Sequence, residues 1–167
     1  MGKIEEDLMA AFAGESQANR KYLAYAKKAE KDGFPQIGRL FRAVAHAETI
    51  HAHNHLRVYG GIKTTLENIR AAIEGEHYEF TKMYPEFLED AKEEGRKAAE
   101  RTFDFANQVE KIHHELYSRA LKTVESDNDL PEKPMYVCEV CGYTIEDGIP
   151  DKCPICGASH ERFTKIE

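Results

Sequence analysis

The chain has 167 residues, enough for one core of ordinary size plus a satellite too small to fold without a metal or disulfides. With 41% hydrophobic and 32% charged residues, 11 Gly and 6 Pro, it is neither disordered nor collagen-like, and a helix-rich globular protein is expected. A net charge of -7 at pH 7, with Lys and Arg scattered among Asp and Glu, leaves no basic stripe for nucleic acid.

Residues 4 to about 31 have helical spacing, with Leu8, Glu15, Ala18, Tyr22 and Ala26 on one face and Gly33 at the exit. A second helix is predicted from Pro35, a residue suited to a first turn, through Ile37, Phe41, Val44, Glu48, His51 and His55 to Gly60 and Gly61. Thr64 and Glu67 form a capping box that opens a third helix, continued by Ile69, Ile73, Glu76, Phe80, Met83 and Phe87. Pro85 lies inside it and predicts a kink or local break about one turn earlier. After a turn near Glu94 and Gly95, a fourth helix reads from about 96 to 125, with Phe103, Ala106, Glu110, His113, Tyr117 and Leu121 on one stripe. The expected fold is an all-α four-helix bundle over residues 1–126, a polar linker over 127–134, and a small separate unit over 135–167.

The second and fourth helices share the motif Glu-x-x-His, as Glu48 with His51 and Glu110 with His113. Residues three apart share a helix face, so each pair can turn a carboxylate and an imidazole into one core. The first and third helices set Glu15 and Glu76 among apolar neighbours. Two Glu-x-x-His helices plus one Glu from each remaining helix is the ligand pattern of a di-iron bundle. One such pair arises readily by chance among 30 acidic residues, so the combination carries the argument. Buried glutamates repel one another and lose hydration, and a pair of metal ions offsets both costs. Glu79, three residues after Glu76, is an extra carboxylate that can compete with a histidine as an iron changes oxidation state. Tyr22 and Tyr84 are placed either to hydrogen-bond a ligand carboxylate or simply to pack. His113 is preferred to His114 because its spacing matches that of Glu48 and His51. His46, His53 and His160 are expected at the surface, and His77 points away from Glu76.

All four cysteines fall in two C-x-x-C knuckles, Cys138 with Cys141 and Cys153 with Cys156, each followed by glycine. That arrangement reads as tetrathiolate metal ligation in a reducing compartment, not as disulfides. Zinc and iron both accept four thiolates; iron is preferred because a redox bundle needs a one-electron donor, with zinc as a substitute. No run of 18 apolar residues exists and the N-terminus lacks a signal-like apolar stretch, so membrane insertion and export are not expected and the cytoplasm is.

Together these motifs resemble the rubrerythrin family over essentially the full length. The match is closest at Tyr136, Val137, Cys138, Glu139, Val140, Cys141, Gly142 and Tyr143, which are similar to a rubredoxin knuckle. The resemblance implies a ferritin-like di-iron bundle with a rubredoxin-like tail. It also implies a di-iron site of Glu15, Glu48, Glu76, Glu79, Glu110 and His113, with His51 replacing Glu79 on reduction, Glu48 and Glu110 bridging, and Tyr22 and Tyr84 hydrogen-bonded nearby. The implied activity is reduction of hydrogen peroxide to water, with electrons from NAD(P)H through a rubredoxin reductase or rubredoxin and the tail iron. The connection between the second and third helices is shorter than in the longer members, which bears on whether helices are exchanged between subunits. A homodimer is expected, head-to-tail or helix-swapped, since the linker is expected to carry the tail away from its own cluster. The rival readings are a ferroxidase using dioxygen and a non-catalytic zinc-ribbon protein.

Overall fold

A computed structural model describes residues 2–167, and the chain divides after Lys63 into two compact units. The first unit is a pair of antiparallel helices, α1 (Lys3–Lys31) and α2 (Pro35–Tyr59). Gly33 takes the left-handed conformation, φ 87°, at the turn, and Pro35 occupies the first turn of α2, where its missing N-H costs nothing. The seam between the helices is built from small residues, with Ala26, Ala29, Ala45 and Ala52 all buried. At Gly38 a Cβ would lie 2.7 Å from Glu30 Cγ and 3.1 Å from the Ala26 carbonyl, so glycine permits the close approach. Across this seam the buried Asn19 side chain donates to the Ala45 carbonyl at 2.6 Å and to Thr49 Oγ1 at 2.8 Å. Its own oxygen accepts from Arg20 Nε at 2.7 Å, so the amide is satisfied. Gly60, in the left-handed region at φ 79°, ends α2 as expected.

The second unit opens on the Thr64–Glu67 capping box, and α3 (Thr65–Tyr78) follows. It passes without a gap through a π-helical turn, Glu79–Met83, into α4 (Tyr84–Glu93). Pro85 has no N-H for the carbonyl one turn back, and the backbone absorbs the defect by widening: the Tyr84 N-H reaches back to the Glu79 carbonyl. The predicted break therefore takes the form of a π-bulge that starts at Glu79. α5 (Lys97–Glu125) runs antiparallel to this helical stretch, held by Tyr84, Phe87 and Phe103 near one end and by an Arg70–Glu125 ion pair of 2.8 Å near the other.

The tail is a three-stranded antiparallel sheet of β1 (Met135–Cys138), β2 (Thr144–Glu146) and β3 (Phe163–Ile166), in the order β2-β1-β3. Tyr143 and Phe163 meet edge to face at 6.3 Å beside the knuckles. No helix among the described residues is long and apolar enough to cross a membrane.

The Asn19 bridge generates a stability prediction. Asn19→Ala leaves the seam-facing groups without their donor and should cost about 1–3 kcal/mol in urea unfolding, more than the exposed-cap change Thr64→Ala at about 1 kcal/mol.

Candidate metal centres

Each unit carries one carboxylate–histidine triad. In the first, α1 presents Glu15 and α2 presents Glu48 and His51; His51 Nδ1 lies 2.9 Å from Glu48 and 3.8 Å from Glu15. In the second, α3 presents Glu76 and α5 presents Glu110 and His113; His113 Nδ1 lies 2.7 Å from Glu110 and 3.9 Å from Glu76. The two triads are near copies, each made by a lone glutamate facing a Glu-x-x-His pair across an antiparallel helix seam. An ion bonded at roughly 2.1 Å to carboxylate oxygen and imidazole nitrogen fits among donors this far apart. Within each triad the donor atoms lie within 4.8 Å of one another, and each group could hold a metal ion.

The second triad is electrostatically loaded. Burial, then the hydrogen bond and charge of Glu110, push the Glu76 carboxyl up to about 7. Burial also opposes ionisation of Glu110, but its hydrogen bonds with His113 and Glu76 outweigh this and hold it below the usual carboxylate range. The pair thus shares a proton that resides on Glu76. His113 is raised by its bond to Glu110. Glu79, at the start of the π-turn, is raised by burial and then by the Glu110 charge, which puts it within the field of the triad. Tyr84 is raised by burial and then by Glu110, Glu79 and Glu76, so its hydroxyl stands among the same carboxylates.

Tyr22 stacks with Tyr25 and Phe41, ring centroids 6.2 and 6.0 Å away, inside the first unit. His114 lies against His77 and Phe80, ring centroids 5.7 and 5.5 Å away. His46, His53 and His160 are exposed.

The four thiols converge in the tail. Cys138 Sγ is 3.7 Å from Cys156 Sγ, and Cys141 Sγ is 3.5 Å from Cys153 Sγ. A tetrahedron with metal–sulfur bonds of about 2.3 Å has edges of about 3.8 Å, so the cavity fits such an ion. The knuckles are built alike: the Cys138 N-H donates to the Tyr143 carbonyl and Gly142 N-H back to Cys138, while the Cys153 N-H donates to Ala158 and Gly157 N-H back to Cys153. Gly142 and Gly157 take φ 85° and 75° to make these turns. Burial raises the Cys141 and Cys156 thiols, whereas at Cys153 the backbone N-H groups of Cys156 and Ile155 overcome burial and lower it.

One expectation is corrected. The linker does not carry the tail away from the bundle ligands of its own chain: β2 lies against α5, where Thr144 Oγ1 is 3.0 Å from His113 Nε2. Arg119 reaches Glu146 at 3.1 Å beside it. The linker is not a straight spacer: the chain turns as it leaves α5, with Asp127 in the left-handed region at φ 57°.

The proton on Glu76 makes metal uptake pH-dependent, because a carboxylate must be free to bind a cation. Affinity for a divalent ion at this triad should rise as pH rises through about 7, the value to which Glu76 is displaced, and level off only above it, with the raised His113 acting in the same direction. Calorimetry in buffers of different ionisation enthalpy should count about one proton fewer released by Glu76→Gln than by the wild type.

Family models match both parts of the chain: Rubrerythrin over residues 6–121, and Rubrerythrin, rubredoxin-like domain over residues 136–164. Rubrerythrin-2 of Clostridium acetobutylicum is 38% identical, over 93% of this chain and 92% of that protein. Nigerythrin of Nitratidesulfovibrio vulgaris is 34% identical, over 98% of this chain and 87% of its own length. A solved structure of fully reduced, all-ferrous nigerythrin aligns with a TM-score of 0.59 at 33% identity, covering 99% of this chain and 88% of that one. The family combines a ferritin-like di-iron bundle with a rubredoxin-like iron site, and the triads and four thiols are the groups here that could bind those metals. With both parts matched in order and similarity running nearly end to end, the chain belongs to the rubrerythrin family.

Proposed function

We propose that the protein is a non-haem di-iron peroxidase that reduces hydrogen peroxide to water. The iron pair would be held by Glu15, Glu48, Glu76, Glu79, Glu110 and His113, with Glu48 and Glu110 as the shared carboxylates and His51 as the donor that would alternate with Glu79. The observation that carries the reading is Glu79: a fifth carboxylate in the field of Glu110 and His113, set at the start of a π-turn, a backbone irregularity frequent at functional sites. When bound, the iron pair supplies the two electrons that break the O-O bond, and the tail iron restores them singly. The protein's own groups handle charge and protons. Glu76 holds a proton at its carboxyl near neutral pH, beside Glu110, where it can be passed to a departing oxygen. Tyr84 keeps its hydroxyl proton and can donate it to a ligand carboxylate, fixing that carboxylate's pose.

Functionally the chain divides into the di-iron bundle at 1–126, a linker at 127–134 and the electron-transfer tail at 135–167. Family members take electrons from rubredoxin-type donors. For this chain the donor is an NAD(P)H-dependent rubredoxin reductase or rubredoxin. Four free thiols suit a reducing compartment, and we assign the protein to the cytoplasm.

The working unit is a helix-swapped homodimer. A ferritin-like bundle needs one long crossover, here between α2 and α3. α2 has 25 residues, so its length is about 37 Å. The connection at residues 60–64 spans at most roughly 20 Å when fully extended. The α1–α2 pair of one chain therefore completes the α3–α5 ligands of another. Exposed Ile37, Leu40, Ile50 and Val58 on the helical pair give the second copy an apolar surface to cover.

Three experiments test these proposals. In stopped flow, fully reduced iron-loaded protein should be reoxidised much faster by peroxide than by dioxygen; equal rates, or faster reaction with dioxygen, would favour a ferroxidase. Cys138→Ser should abolish turnover while the bundle's iron remains. For the swap, Glu15→Ala/Glu48→Ala chains and Glu76→Ala/Glu110→Ala chains, each lacking the iron pair, should regain it when unfolded and refolded together, since a swapped hybrid holds one intact site. An unswapped hybrid would regain none.

A further inference from the structure

Thr144 sits between the two metal sites of the second unit, and its single hydroxyl proton decides how. Its Oγ1 lies 3.0 Å from the Gly142 carbonyl and 3.0 Å from His113 Nε2. A carbonyl only accepts, so the Thr144 proton goes to Gly142, and Oγ1 is left to accept from Nε2. Nε2 must then carry hydrogen, so when the Nδ1 proton that now bonds Glu110 gives way to a metal, it is the Nδ1 lone pair that meets the ion beside Glu110 and Glu76, 2.7 and 3.9 Å away. The Gly142 carbonyl also faces the imidazole and favours the same N-H.

We propose that Thr144 is a positioning residue for the bundle metal site, fixing the His113 imidazole with Nδ1 toward the carboxylates and clamping the four-cysteine tail to the helix that bears this histidine. The clamp is local and continuous. Gly142 follows Cys141, the Tyr143 N-H bonds the Cys141 sulfur, and a Cβ at Gly142 would stand 3.7 Å from Val109 Cγ1 on α5. The route from Cys141 through Gly142 and Thr144 to His113 thus joins both ligand sets through one chain. On the far side the seam opens into a cavity of about 250 Å³ walled by Leu116, Tyr117, Ala120, Leu130, Met135 and Glu146, the last engaged by Arg119. A second polar tie, Arg119 to Glu146, holds β2 to α5 independently, so loss of the hydroxyl need not free the tail.

The inference rests on the metal-binding reading of the second triad, and zinc serves as a diamagnetic probe for both. Full-length protein is loaded with Zn(II), and competition with a chelator gives separate affinities for the thiolate and bundle sites. Thr144→Val, close in shape and suited to a strand, should bind bundle zinc about 10- to 100-fold more weakly with the thiolate site unchanged, while Thr144→Ser restores wild-type affinity. In nitrogen-15 spectra of the zinc-loaded wild type, the His113 Nε2-H should exchange slowly with water, and in Thr144→Val fast. Wild-type protein that binds zinc only at the thiolates would refute the metal reading itself. Bundle zinc bound equally by wild type and Thr144→Val, with unchanged exchange at Nε2, would refute the role of Thr144 alone.

Discussion

Carboxylate crowding is the constraint on which the rest of the structure depends. Glu76, Glu79 and Glu110 occupy one partly buried region, and burial together with the neighbouring Glu110 pushes the Glu76 carboxyl up to about 7, so that it retains a proton below that pH. That proton is the signature of a site short of positive charge. Two metal ions would discharge the strain that a single proton only partly relieves, and the neighbouring imidazoles add donors without adding negative charge.

The surrounding backbone looks shaped by the same demand. Each triad uses an antiparallel helix seam, and the matching separations, 2.9 and 3.8 Å in one and 2.7 and 3.9 Å in the other, make the two triads near copies. The seams differ in what supports them. The first is closed by alanines and glycine around the satisfied Asn19 amide, whereas the second is closed by aromatic rings and carries the π-turn at Glu79. Irregularity is confined to the half that bears the extra carboxylate, where a mobile ligand would need it.

Local signals were readable because their physics is local. Pro35, Gly60 and the Thr64–Glu67 box act through their own turn of backbone, so the helix bounds they predict are observed. Glu-x-x-His spacing set His113 rather than His114 beside Glu110, since a face repeats every three to four residues. Pro85 announced a defect but not its form, because a kink and a π-bulge both spare the missing N-H. Thr144 could not be found from sequence: it is 31 residues from His113, and threonine in a short strand carries no signal of what its hydroxyl meets. The tail's placement was misjudged for the same reason, as docking is decided by Thr144, Glu146 and Val109 across long sequence separations.

The central claim is that the chain holds a dinuclear iron centre and a separate tetrathiolate iron. Mössbauer spectroscopy of protein loaded with iron-57 and oxidised tests it most directly. The account predicts two antiferromagnetically coupled ferric ions for every isolated high-spin ferric ion in a sulfur environment. Magnetically independent irons in oxygen and nitrogen surroundings, with no coupled pair, would contradict it.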